Sequence, residues 1–149
     1  MFKKRMGFIT LVIALVMVTN AVWSQTASES LYKRLGGYDA IAAVTDDFIG
    51  KLASDPSLSR FFVGLSQDSK TRVRQHVVEF LCNATGGPCA YLGRDMKTAH
   101  TGLGITGADW DKAASLLTAT LDKFKVPAKE KGEVLAAVTG LKSQIVEKP

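Results

Sequence analysis

The chain has 149 residues, enough for one ordinary domain and too few for two. Hydrophobic residues make up 46% and charged residues 22%, so the chain can bury a core, and composition excludes disorder. Its 19 Lys and Arg against 14 Asp and Glu give +5; three of those cations lie in residues 1–24, which carry no acid, leaving 16 against 14, or +2, for the rest. With the signs interspersed, that balance leaves no footprint for nucleic acid.

Residues 1–24 have the tripartite layout of a secretory signal peptide. Lys3, Lys4 and Arg5 form a positive start, an apolar run follows from Phe8 through Val18, and Val22-Trp23-Ser24 precede Gln25. An uncleaved anchor is the alternative, because the apolar stretch approaches the ~20 residues that span a bilayer. The polar tract from Gln25 to Ser30 favours cleavage, and no cysteine follows the site to carry a lipid. The expectation is an exported protein, periplasmic or secreted, that meets a membrane only through this segment. Residues 25–30 then form a flexible N-terminus, 31–146 the folded domain and 147–149 a tail.

Past that point the pattern is helical. Ser30 caps a short helix at Leu31–Leu35, stopped by Gly36-Gly37. A second helix from about Tyr38 to Ala53 repeats Ile41, Val44, Phe48 and Leu52 on one face, and Asp55-Pro56 breaks it. Leu58 to Phe62 forms a helical turn bearing Phe61 and Phe62. Asp68 or Ser69 caps a helix over about Lys70 to Ala84, whose apolar residues are Val73, Val77, Phe80 and Leu81. A short helix is expected from Asp95 to Leu103. Thr106-Gly107-Ala108-Asp109 has the form of a capping box; it opens a helix with Trp110, Ala113, Leu116, Leu117, Leu121 and Phe124. After Val126-Pro127 a last helix runs from about Ala128 to Val146. The sum is an all-α domain. Unequal helices and glycine stops favour crossed packing over a plain four-helix bundle.

The two cysteines, Cys82 and Cys89, have six residues between them, among them Gly86-Gly87-Pro88. Two readings stay open: a disulfide suited to an oxidising compartment, or a buried free Cys82 and an unrelated loop Cys89.

Chemistry has few carriers. Only two histidines exist, His76 and His100, each on an expected helix. Their spacing from the cysteines is not that of a zinc finger. No GxSxG, Walker or GxGxxG string is present, no carboxylate pair has a hydrolytic spacing, and no nucleophile has a base beside it. Catalytic residues are therefore not assigned. One chemistry fits, a haem in an apolar slot with an imidazole as axial ligand. Phe61, Phe62, Phe80, Leu81, Leu103, Ile105, Trp110 and Leu117 can line the slot, while Arg94, Lys97 and Arg72 can meet its carboxylates. The bland alternative is that these apolar residues are simply core.

A set of strings decides between them. In order come Leu31-Tyr32-x-x-Leu35-Gly36-Gly37, Ala40-Ile41, Asp55-Pro56-x-Leu58, Phe61-Phe62, Phe80-Leu81 and Gly86-Gly87-Pro88. Tyr91-x-Gly93-Arg94-x-Met96-x-x-Ala99-His100 and Val126-Pro127 complete it. Over Leu31 to Val146 the chain resembles the group I truncated haemoglobins. The resemblance implies a truncated globin, a two-over-two helical sandwich around haem b. It implies His100 as the proximal iron ligand and Phe62 as the phenylalanine packed on the haem face, with Tyr91, Arg94 and Met96 leading into the proximal histidine.

On the opposite, distal face the chain departs from the family. Where many members carry a tyrosine this chain has Ile49, and where many carry glutamines it has Val73 and Val77. None of the three donates a hydrogen bond to bound dioxygen. The remaining polar candidate is His76, at the phase where some members place a second iron ligand. Expected metal ligands are thus His100 and His76.

The resemblance implies a globin that reversibly binds a diatomic gas, O2, NO or CO. Two other readings are a bis-histidine electron carrier with a redox partner, and a nitric-oxide dioxygenase. The apolar distal face and the export signal weigh against the dioxygenase. A haem-free helical interaction domain is the reading from a different class.

Overall fold

The computed structural model describes residues 29–148, so the segment read as a signal peptide, residues 1–24, lies outside the described residues. Among the described residues no helix is long and apolar enough to cross a membrane. Among the described residues there are seven α-helices and one 3-10 helix: α1 (Leu31–Arg34), α2 (Gly37–Ser54), the 3-10 helix (Ser59–Phe62), α3 (Gln67–Ala84), α4 (Met96–His100), α5 (Gly107–Lys123), α6 (Ala128–Thr139) and α7 (Lys142–Ile145). Among the described residues the only β pairing is an isolated parallel bridge between Thr106 and Lys148.

The helices form a two-over-two sandwich. α2 and α3 make one pair, α5 and α6 the other, and α2 crosses onto α5. α1 lies against α2 and α6, while α4 rests on α7. Leu117 and Leu121 of α5 meet Val134 of α6 at the centre, with Val44 and Phe48 of α2 packed on them. The buried Leu117, Leu121 and Val134 each contribute roughly 1.5–3 kcal/mol and the half-buried Val44 and Phe48 less, so this contact holds the two pairs together. Arg34 of α1 adds an edge tie to Glu130 at 2.7 Å and to Glu133 at 2.5 Å.

Most boundaries follow local signals. Thr106 and Asp109 form the expected capping box, each side chain accepting from the other's backbone N–H. α3 begins three residues earlier than expected, because Ser66, rather than Asp68 or Ser69, accepts from the backbone N–H of Ser69 at 3.2 Å. α4 stops at His100 instead of Leu103, since Gly102 takes a left-handed φ of 86° and ends the helical path. The last helix, expected to be continuous to Val146, breaks at Gly140. Beyond it the amides of Leu141 and Gln144 bond three residues back, to Val138 and Leu141, the tighter 3-10 pattern.

The buried face of α3 also differs from the expected one. Val78 and Cys82 are the residues with no exposure, whereas Val73 remains 37% exposed. Helical period alone assigns a stripe, but its rotation relative to α2 depends on the packing of the pair.

Candidate functional site

The segment carrying His100 is held on both sides. Cys82, at the end of α3, is bonded to Cys89, with Cα atoms 5.8 Å apart. The bridge folds the chain back tightly. A side chain at Gly87 would come within 2.5 Å of Tyr32 Cδ2 and 2.8 Å of the Cys82 carbonyl oxygen, so only glycine fits. Asn83 Nδ2 donates to the Cys89 carbonyl at 3.0 Å. Tyr91 then turns inward, its ring edge-on to Phe80 at 5.4 Å, and its hydroxyl donates to the Arg94 carbonyl at 2.6 Å. Burial raises the Tyr91 pKa, helped by the Asp95 and Glu79 charges, so this hydroxyl keeps its proton.

Asp95 caps α4 by accepting from the Thr98 N–H at 2.9 Å and the Thr98 hydroxyl at 2.6 Å. These bonds hold the Asp95 carboxyl below its usual pKa. One turn separates Met96 from His100, and His100 Nδ1 lies 2.7 Å from the Met96 carbonyl oxygen. A carbonyl only accepts, so Nδ1 carries the proton. The lone pair is therefore left on Nε2, the tautomer a metal ligand needs.

The chain leaving His100 is clamped from the other end. The Glu147 carboxylate accepts from the Gly102 N–H at 2.7 Å and the Gly104 N–H at 2.5 Å. The Glu147 and Lys148 amides donate to the Ile105 carbonyl, and the Gly107 amide to the Lys148 carbonyl. Glu147 and Lys148, expected in a tail, are thus bonded into the fold.

A cavity of about 310 Å³ lies between α2, the 3-10 helix and α3, lined by Ile49 and Ala53 of α2, Ser59 and Phe62 of the 3-10 helix, Val63, and Lys70 and Val73 of α3. The 3-10 helix reaches it through a brace. Arg60 donates to both Asp109 oxygens at 2.7 Å, and its guanidinium sits 4.4 Å over the Phe61 ring. The capping bond from Thr106, then that from Arg60, hold the Asp109 carboxyl below its usual pKa.

The structure therefore brings Ile49, Phe62 and Val73 together and leaves other expected site residues elsewhere. Val77 is half-buried one turn along α3. His76 does not line the cavity. Its side chain is 47% exposed, 3.6 Å from Glu79 and edge-on to Tyr91 at 6.2 Å. Phe61 lies under Arg60, and Leu103 is exposed. Ile105 is buried, Trp110 half-buried, and neither lines the cavity. Arg94 and Lys97 are exposed, and among the described residues neither has an ion-pair partner.

Lys70, Ser59 and Glu147 were not anticipated. Lys70 carried a faint signal, three residues before Val73 and so on its face of the helix. Glu147 carried none, standing 43 residues from Gly104. Among the described residues no group of three or more His, Cys, Asp or Glu can hold a bare metal ion. The imidazole Nε2 of His100 is left as a single nitrogen donor.

A sequence model described as Bacterial-like globin matches residues 30–147. The chain is 35% identical over 116 residues to a group 1 truncated hemoglobin of Mycolicibacterium paratuberculosis, covering 78% of this chain and 83% of that protein. It is 36% identical over 115 residues to one from Synechocystis, covering 74% and 90%. Among solved structures, the truncated hemoglobin of Tetrahymena pyriformis in its Fe(III) form superposes with a TM-score of 0.72 at 26% identity, over 80% of this chain and all of that one. The 2/2 hemoglobin of Synechococcus, solved with covalently attached heme, gives 0.70 at 31% identity, over 78% and 95%.

Proposed function

The chain belongs to the bacterial-like globin family, among the truncated haemoglobins, and on that premise we propose that it holds haem b through His100 and reversibly binds a diatomic gas, O2, NO or CO. The observation that carries this reading is the Nδ1 bond of His100 to the Met96 carbonyl, which frees Nε2. Haem, when bound, would supply an iron able to take up a gas.

The chain's own residues do the rest. The Met96 carbonyl orients the imidazole and, being neutral, leaves it less electron-rich than a carboxylate partner would. The Cys82–Cys89 bridge and Glu147 fix the chain before and after α4. Arg94 and Lys97, free of ion pairs among the described residues, suit the haem carboxylates. Ile49, Phe62 and Val73 present apolar surface to the gas side and donate no hydrogen bond. Val73 and Leu103 leave apolar surface exposed that a flat macrocycle would cover.

A second reading makes His76 a sixth ligand and the protein a redox carrier with its own partner. It is favoured by position. Val73, His76, Val77 and Phe80 share one face of α3, and the His76 side chain is restrained only by an exposed 3.6 Å contact and an aromatic edge. Export to the periplasm or beyond is supported by the pattern of residues 1–24 and by the disulfide, which suits an oxidising compartment.

Absorption spectroscopy after haem reconstitution tests both readings. A stoichiometric Soret band is expected in the wild type and none in His100→Ala; stable haem in that variant would refute the assignment. A six-coordinate ferrous spectrum that turns five-coordinate in His76→Ala would establish the second reading, and a high-spin wild-type spectrum would remove it.

A further inference from the structure

We propose that the cavity between α2, α3 and the 3-10 helix is selective for a small monovalent inorganic anion as iron ligand, and that Lys70 confers the selection. This rests on the reading that the cavity is the gas side of a haem held by His100.

The walls are apolar: Ile49, Ala53, Phe62, Val63 and Val73. Lys70 is the one ionisable residue lining it, and the Ser59 hydroxyl is the one other polar side chain there. No carboxylate faces the cavity. Arg72 of α3 is exposed and outside the cavity lining, and the two other cations of α2 and α3 are neutralised. Arg74 donates to Asp46 at 2.7 Å, and Lys51 sits 2.8 Å from Asp47. Among the described residues the Lys70 ammonium has neither an ion pair nor a hydrogen bond, so its field is not cancelled at short range.

An uncompensated cation beside low-dielectric walls concentrates that field in the opening. A neutral diatomic molecule is indifferent to it, whereas an anion gains on the way in. The ammonium is a compact charge on a flexible stem, so it can follow an anion past Val73 without rebuilding the helix. The hydrogen-bond donor missing at Ile49, Val73 and Val77 is thereby replaced by a charge supplied one turn earlier on α3. Arg94 and Lys97, outside the cavity, remain for the haem carboxylates.

The test uses ferric, haem-loaded protein and azide in a stopped-flow instrument. The His76→Ala variant, in which no departing histidine limits the rate, is the parent, and Lys70→Met and Lys70→Arg made in it are compared with it. Lys70→Met is expected to slow azide association about tenfold at low ionic strength, and Lys70→Arg to keep most of it. The gap should close at high salt, where the screening length falls to about 3 Å. Association of neutral CO with the ferrous protein should stay unchanged. Equal azide rates in Lys70→Met and its parent at low salt overturn the proposal. So does an equal slowing of azide and CO, which would mean that Lys70 acts by bulk. Faster haem loss with an unchanged azide rate would assign Lys70 to a haem carboxylate instead. A chain that takes up no haem in any variant removes the underlying reading, and this proposal with it.

Discussion

The two faces that flank the candidate haem position are built on opposite principles. The α4 side is wired with polar contacts. A disulfide, the Tyr91 hydroxyl, the Asp95 cap, the Met96 carbonyl and the Glu147 carboxylate all act within the stretch from Cys82 to Gly104. The cavity side is a wall of aliphatic and aromatic groups in which Ser59 and Lys70 are the polar side chains. Directional bonds hold one imidazole at one angle, and a five-residue helix could not do so alone, because short helices are marginal in water. A surface that must admit and release a small ligand needs shape, and directional bonds there would slow release.

That contrast can be broken from either side. The largest effect is expected on the wired side. Replacing Cys82 and Cys89 by serine removes a short covalent loop worth about 2 kcal/mol. Urea unfolding should show that loss, and haem retention should fall with it. Reductant should lower the wild type to the level of the variant; an unchanged midpoint would mean that the hydrogen bonds of Asn83 and Tyr91 suffice.

The next effect is on the cavity side. Ile49→Tyr places a hydroxyl in a wall that has no donor at that point. One hydrogen bond of about 1–1.5 kcal/mol should slow dioxygen release roughly tenfold. Unaltered release would show that the cavity is not where the gas sits.

The smallest concerns the brace behind that wall. Asp109 ties the α5 cap to Arg60 and so to the 3-10 helix bearing Phe62. Its folded pKa is lowered from 3.8, so its contribution is present above that value and is lost as pH falls through the lower folded value. Asp109→Asn should cost about 1 kcal/mol at pH 7. Its deficit against wild type, read from urea midpoints, should vanish in strong acid. A deficit that persists there would make the charge irrelevant.

The sequence by itself determined what depends on near neighbours along the chain. The helices, the capping box at Thr106, the stop at Gly36-Gly37 and the helical turn linking Met96 to His100 are all local, reaching four residues or fewer. The candidacy of His100 belongs here too, because the motif strings around it are contiguous. The rotation of α3 was not legible. Period 3.6 marks a stripe, but whether Val73 or Val78 faces the core is settled by the fit of α3 against α2. The choice between a disulfide and two free thiols also waited for the structure, since it needs two Cα atoms at bonding distance. Only the tertiary structure decided that Ile49, Phe62, Val73 and Lys70 share one cavity, that His76 stands outside it, and that Glu147 reaches back to the loop after His100. Each joins residues far apart in the chain, and no local rule carries the direction in which a side chain points once two helices have packed.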